Sequence, residues 1–211
     1  MENPTNTVLL PSAYLPSVSW FYYLYNFEKV FIEQYETYPK QTYRNRCKIL
    51  AGNGPLDMTI PVSKPSGNKT ITKEVVIFDD KRWQQNHWQT ICSAYLNSPF
   101  FEYYRDEFEP FFQNSQSSLL ELNLRLTSLL CEIIGIEKEI KRTETFIHSP
   151  QNSIDLRSSL SPKNKTEGLI FPEYIQVFSA RFDFIPDLCI LDVIFNLGPE
   201  TLDYLQTVNR K

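Results

Sequence analysis

The sequence predicts an α/β fold. It reads as a single domain over residues 1–211, with a mixed sheet that has a β-α-β opening and a hairpin, covered by helices mostly from the second half. Three observations carry this reading. Short apolar runs flank a helical aromatic face at the start, a Gly-Asn-Gly turn separates two extended runs, and from residue 81 onward apolar residues recur at helical spacing. With 42% apolar and 14% aromatic residues in 211, the chain can bury a full core and fold alone.

Taken in order, "TVLLP" is a short apolar run closed by proline, "WFYYLYNF" carries a helical aromatic face, and "KVFIEQ" is again strand-like. "RCKIL" and "PLDMTIPV" are extended runs around "AGNG", whose glycines and asparagine accept the positive φ angles of a tight hairpin. "EVVIF" is a further buried strand, and Asp79 and Asp80 after it are suited to cap a helix. That helix, "KRWQQNHWQTICSAYLN", places Trp88, Ile91, Cys92 and Tyr95 on one face. "FFEYYRDEFEPFFQN" repeats aromatics but contains Pro110, which is expected to kink or split it. "SLLELNLRLTSLLCEIIG" has capping-box spacing at Ser118 and Glu121, a stripe through Leu122, Leu126, Leu129 and Ile133, and Gly135 to end it. "EIKRTETFI" is a candidate returning strand. Residues 149–168, rich in Ser, Asn, Pro and Lys, read as a mobile loop or lid. In the last block Asp187 is placed to cap one helix, Gly198 to end it and Pro199 to open the next.

The formal net charge of −4 argues against a general nucleic-acid binder, which must neutralise many phosphates. Any anion site is therefore local. The start lacks the cationic and continuous apolar regions of a secretory signal. The most apolar late stretch, "LCILDVIFNL", is about half the length of a bilayer span and contains Asp192. The expectation is a cytoplasmic protein without a membrane partner. Cys47, Cys92, Cys131 and Cys189 stand far apart, as free thiols do.

The local anion site is "YPKQTYRNRCKIL", which gathers Lys40, Arg44, Arg46 and Lys48. If the segment is extended, its two-residue period puts Arg44, Arg46 and Lys48 on one face. Arginine there offers a fork of donors matched to phosphate or carboxylate, so an anionic small molecule such as a sugar nucleotide or a phosphosugar suits it. The competing reading is a solvated strand face. Asn45 and Tyr14 are the candidates for orienting such a substrate. His87 is the candidate general base, against a second reading as a core histidine bonded to its neighbours. Asp192, in a helix apolar on nearly every side, is either catalytic or an internal partner with a raised pKa. No cluster of histidines and carboxylates stands at zinc spacing, and the residues name no cofactor.

"LPSAYLPSVSWFYYL", "YRNRCKIL", "LDMTIPV", "HWQTICSAYLNSPFFEYY" and "LDVIFNLGPE" occur together in this order, and over nearly the whole chain the sequence resembles the WbqC-like family, in the form found in Bacteroidetes. The resemblance implies a setting among genes for bacterial surface polysaccharide synthesis. The commoner pattern of that family follows the first strand with a His-Gln-Pro-like segment; here "LLPSAYLP" keeps Tyr-Leu-Pro without the histidine. The opening also resembles nucleotidylyltransferase-type α/β domains, where a helix N-terminus receives nucleotide phosphates, again without their two histidines. Two functions follow. One is a cytoplasmic transferase that modifies an activated amino sugar, by adding an acyl or aminoacyl group. The other is a non-catalytic accessory protein that holds an anionic glycan precursor or an acidic partner.

Overall fold

The computed structural model describes residues 6–78, 80–148, 150–162 and 168–210, the side chain of Lys81 excepted. Asp79, one of the two expected capping residues, lies outside them, as do residues 149 and 163–167 of the expected loop. The chain opens with strand β1 (Thr7–Pro11), helix α1 (Val18–Asn26) and strand β2 (Lys29–Glu33). β1 and β2 pair in parallel from Thr7↔Lys29 to Pro11↔Glu33. Val8, Leu10, Val30 and Ile32 are buried on this sheet, which is why two short apolar runs suffice to found it.

Strands β3 (Arg46–Ala51) and β4 (Gly54–Thr59) form the expected antiparallel hairpin, with Ala51 opposite Gly54. Gly54 has a φ of 110°, which a residue with a side chain rarely adopts. Strands β5 (Val62–Ser63) and β6 (Val76–Ile77) make a second, short antiparallel pair. Helices α2 (Lys81–Tyr95), α3 (Phe101–Gln113) and α4 (Leu119–Ile134) follow. Asp80 caps α2 by accepting from the Arg82 N–H. Pro110 does not split α3: it sits near the C-terminus, where the helix is about to end, and the helix continues to Gln113. The capping box at α4 is half made. Ser118 Oγ accepts from Glu121 N at 3.3 Å, but the Glu121 carboxylate turns to Arg142. Gly135, at φ 81°, ends the helix.

Strand β7 (Ile140–Arg142) then joins β2 in parallel, and β8 (Ile154–Asp155) joins β1 in parallel from the other side. The sheet order is β7-β2-β1-β8. Parallel and antiparallel pairs are thus both present in one α/β domain, in separate sheets. Part of the segment expected to be a mobile loop contributes β8 and buries Leu156 and Leu160. Two paired residues and two leucines anchor it, which its polar composition conceals. Strand β9 (Leu169–Ile170), helix α5 (Ile190–Leu197), helix α6 (Thr201–Thr207) and strand β10 (Asn209–Arg210) complete the chain, with β9 and β10 antiparallel. Gly198 ends α5 as expected, but its cap is Cys189, whose sulfur accepts from Leu191 N. Among the described residues no helix is long and apolar enough to cross a membrane.

Candidate functional site

β1, β2 and β8 run parallel and end in Pro11, Glu33 and Asp155, so their carboxyl ends share one edge of the sheet. The chain adds β2 and then β7 on one side of β1 and returns to add β8 on the other. Reversal of strand order is where open α/β sheets bind ligands, because the loops beyond the carboxyl ends diverge there. A cavity of about 530 Å³ lies among those loops, lined by Glu36, Lys40, Arg44, Phe146, Asp155 and Arg157 together with small hydroxyl side chains.

Three linked ion pairs build its wall. The Arg44 side chain is 1% exposed; its Nε donates to Glu36 Oε1 at 2.7 Å and an Nη to the Arg157 carbonyl at 3.1 Å. Arg157 in turn donates to Glu33 at 3.2 Å and to Asp155 at 2.7 Å. Glu33 is fully buried and fully bonded. One oxygen accepts from Tyr35 N and Thr143 Oγ1, the other from Ile147 N and Arg157. Burial raises the Glu36 carboxyl above the usual range despite the opposing Arg44 charge, whereas the bonds from Arg157 hold Asp155 below it. The Arg157 guanidinium lies over the Phe146 ring, 5.2 Å from its centre, and both residues line the cavity.

Of the residues singled out in the sequence, Arg44 and Lys40 line this cavity, Lys40 as an exposed side chain. The common face expected for Arg44, Arg46 and Lys48 does not form, because the strand begins only at Arg46 and a turn closed by Asn45 N to Thr42 O precedes it. Arg44 is thereby directed into the interior. Asn45 bonds the Ile60 carbonyl at 2.8 Å and ties the turn to the end of the hairpin. Arg46 stands opposite Thr59 in the hairpin register.

Tyr14 and His87 come together, but away from the cavity lining. Tyr14 is 0% exposed, and its hydroxyl bonds His87 Nδ1 at 2.9 Å. The imidazole is itself buried, packs edge-on against Trp83 at 5.3 Å and bonds the Thr59 backbone. Burial lowers its pKa to about 4. This is how a core histidine is held. Asp192 is also buried, in the C-terminal block, where one oxygen accepts from Tyr174 at 2.6 Å and Gln176 at 2.9 Å. The Tyr95 hydroxyl faces the carboxyl as well, without a bond of full geometry. Desolvation raises the Asp192 pKa, and these donors offset part of the rise.

The N-terminus of α1, where the nucleotidylyltransferase likeness places a phosphate, is filled by the chain itself. Val18 N donates to the Leu188 carbonyl, Ser19 N to the Asp187 carboxylate at 2.8 Å and Trp20 N to Ser17 Oγ. Asp187 therefore does cap a helix, though α1 and not the one it precedes. Sequence reasoning missed Glu33, Glu36, Phe146, Asp155 and Arg157. A carboxylate closing an apolar strand run, as in "KVFIE", was the one local signal for Glu33. Among the described residues no group of three or more His, Cys, Asp or Glu gathers to hold a metal.

Comparison with known proteins adds a relationship. The family model described as WbqC-like protein family matches residues 12–171, a span that contains every residue named in the cavity wall. An uncharacterized protein of Mycobacterium tuberculosis is 25% identical over 223 aligned positions, covering 94% of this chain and 96% of its own. No solved structure matches.

Proposed function

The chain belongs to the WbqC-like protein family, and from that premise we propose that it is a cytoplasmic transferase acting on an activated sugar in surface polysaccharide synthesis, with the sugar held at the carboxyl end of the parallel sheet. The observation that supports this is the composition of one cavity. It joins an aromatic face at Phe146, cations at Lys40, Arg44 and Arg157, and a carboxylate of raised pKa at Glu36. An aromatic face suits a sugar ring, cations suit its phosphate, and a carboxylate poised above its usual range suits proton transfer. In this reading Glu36 takes the proton of the sugar's nucleophile as its new bond forms to an activated acyl donor and the donor's leaving group departs. Arg44 and Lys40 keep the binding role expected of them.

A second reading, a binding protein without turnover, draws support from the pairing of both guanidiniums within the chain. One experiment separates the two. Isothermal titration with sugar 1-phosphates and sugar nucleotides reads binding, and mass spectrometry of the same mixtures with thioester acyl donors reads transfer. The variants Lys40→Gln and Phe146→Ala touch exposed side chains. Each is expected to weaken binding by about 1 kcal/mol, roughly fivefold, with melting unchanged. Binding with no product under any donor would favour the accessory role, and affinity unchanged in both variants would remove the cavity as the site.

A further inference from the structure

The charges of the cavity specify its ligand more closely than a sugar with a phosphate. Three carboxylates, Glu33, Glu36 and Asp155, stand against two guanidiniums, Arg44 and Arg157, in the linked pairs of the wall. Among the described residues the wall thus carries one negative charge in excess, while Lys40 is an exposed cation on the same lining. The oxygens that hold the excess can be traced. Both oxygens of Glu33 accept two bonds each, and both of Asp155 accept from Arg157. Both Arg44 nitrogens that reach Glu36 go to the same oxygen, Oε1. Oε2 of Glu36 receives no donor among the described residues, although the residue is only 9% exposed and lines the cavity.

A carboxylate oxygen that opens on a cavity and has no donor among the described residues favours a ligand that supplies one, and a cationic donor most, because it also offsets the excess charge. We propose that the cavity takes a zwitterionic amino-sugar phosphate, its primary ammonium on Glu36 Oε2, its ring against Phe146 and its phosphate toward Lys40. The inference rests on the sugar reading above and narrows it to a sugar whose amine is free. It also accounts for both signs of charge in one small cavity. A plain phosphosugar meets Oε2 only with a neutral hydroxyl and leaves the excess charge in place, and a free amine without an anion makes no use of Lys40.

Calorimetric titration of the full chain with three probes, glucosamine 1-phosphate, N-acetylglucosamine 1-phosphate and glucose 1-phosphate, tests it. The first is expected to bind about tenfold tighter than the other two, or better, the usual worth of a charge-assisted bond. Glu36→Gln should abolish that preference, and Lys40→Gln should weaken all three alike. Equal affinities of the unaltered protein for the three probes overturn this proposal and leave the sugar-phosphate reading standing. No binding of any of them overturns both. Because the comparison among probes needs no variant, the test holds even if Glu36→Gln, which takes Arg44's partner, folds poorly.

Discussion

Burial sets the ionisation of His87 and so gives this residue a share in the acid limb of the molecule's stability. The folded imidazole protonates near 4, against 6.5 for a free one. Between those values the unfolded chain binds a proton that the folded chain refuses, so stability is full above about pH 6.5 and is lost as pH falls toward 4. The loss amounts to about 3 kcal/mol. Asp192 and Glu36 act in the opposite sense, because burial raises their carboxyls and the native state then holds protons that the unfolded state has released. His87→Gln keeps a side chain able both to accept from Tyr14 and to donate to Thr59 but cannot titrate. Urea unfolding between pH 7 and pH 4 should therefore show the acid limb flattened by about 3 kcal/mol in the variant. An unchanged limb would mean that the imidazole titrates as an exposed one does.

At the scale of elements, the junction of α5 and α6 depends on a single glycine. Gly198 has φ 55° and ψ −121°, and a Cβ there would lie 2.5 Å from the Phe100 ring. The Phe100 N–H is bonded to the Phe195 carbonyl at 3.0 Å, so the ring's backbone is tied to the same helix end. Gly198→Ala should cost about 2 to 4 kcal/mol from left-handed strain and overpacking together, read as a lower urea midpoint at constant slope. A cost under about 0.5 kcal/mol would show that Phe100 swings aside freely. This stop was legible in the sequence because "NLGPE" places its glycine and proline where a helix end needs them. So were β1, α1, β2 and the hairpin, whose apolar periods are local. β8 was not, because only Ile154 and Asp155 pair and the rest of its segment is polar but for Leu156 and Leu160. Asp187 was legible as a cap but not as the cap of a helix 168 residues earlier, since local spacing carries no information about which N-terminus a carboxylate meets.

For the whole molecule, the candidate site is also a clasp between distant parts of the chain. Lys40 and Arg44 could be named from the sequence as cations, but their setting depends on partners that no local pattern reveals. Arg157 reaches Glu33 across 124 positions, and Asn123 joins the Arg44 carbonyl to Ser12 Oγ. Glu33 has no exposure at all, so removing its cation leaves a buried charge that its three other donors only partly satisfy. Arg157→Gln should accordingly destabilise the fold by about 3 kcal/mol, a typical cost of stranding a buried charge. Glu33→Gln alone should also cost stability, because Arg157 then keeps only the half-exposed Asp155 as its carboxylate. In the double variant neither charge is stranded, and its cost should fall short of the sum of the singles by about 1 kcal/mol or more. Urea titrations of the four proteins at pH 7 read the difference. Strict additivity would mean that the two groups do not hold each other, and that β8 is kept on the sheet by its strand pairing and by Leu156 and Leu160 without this ion pair.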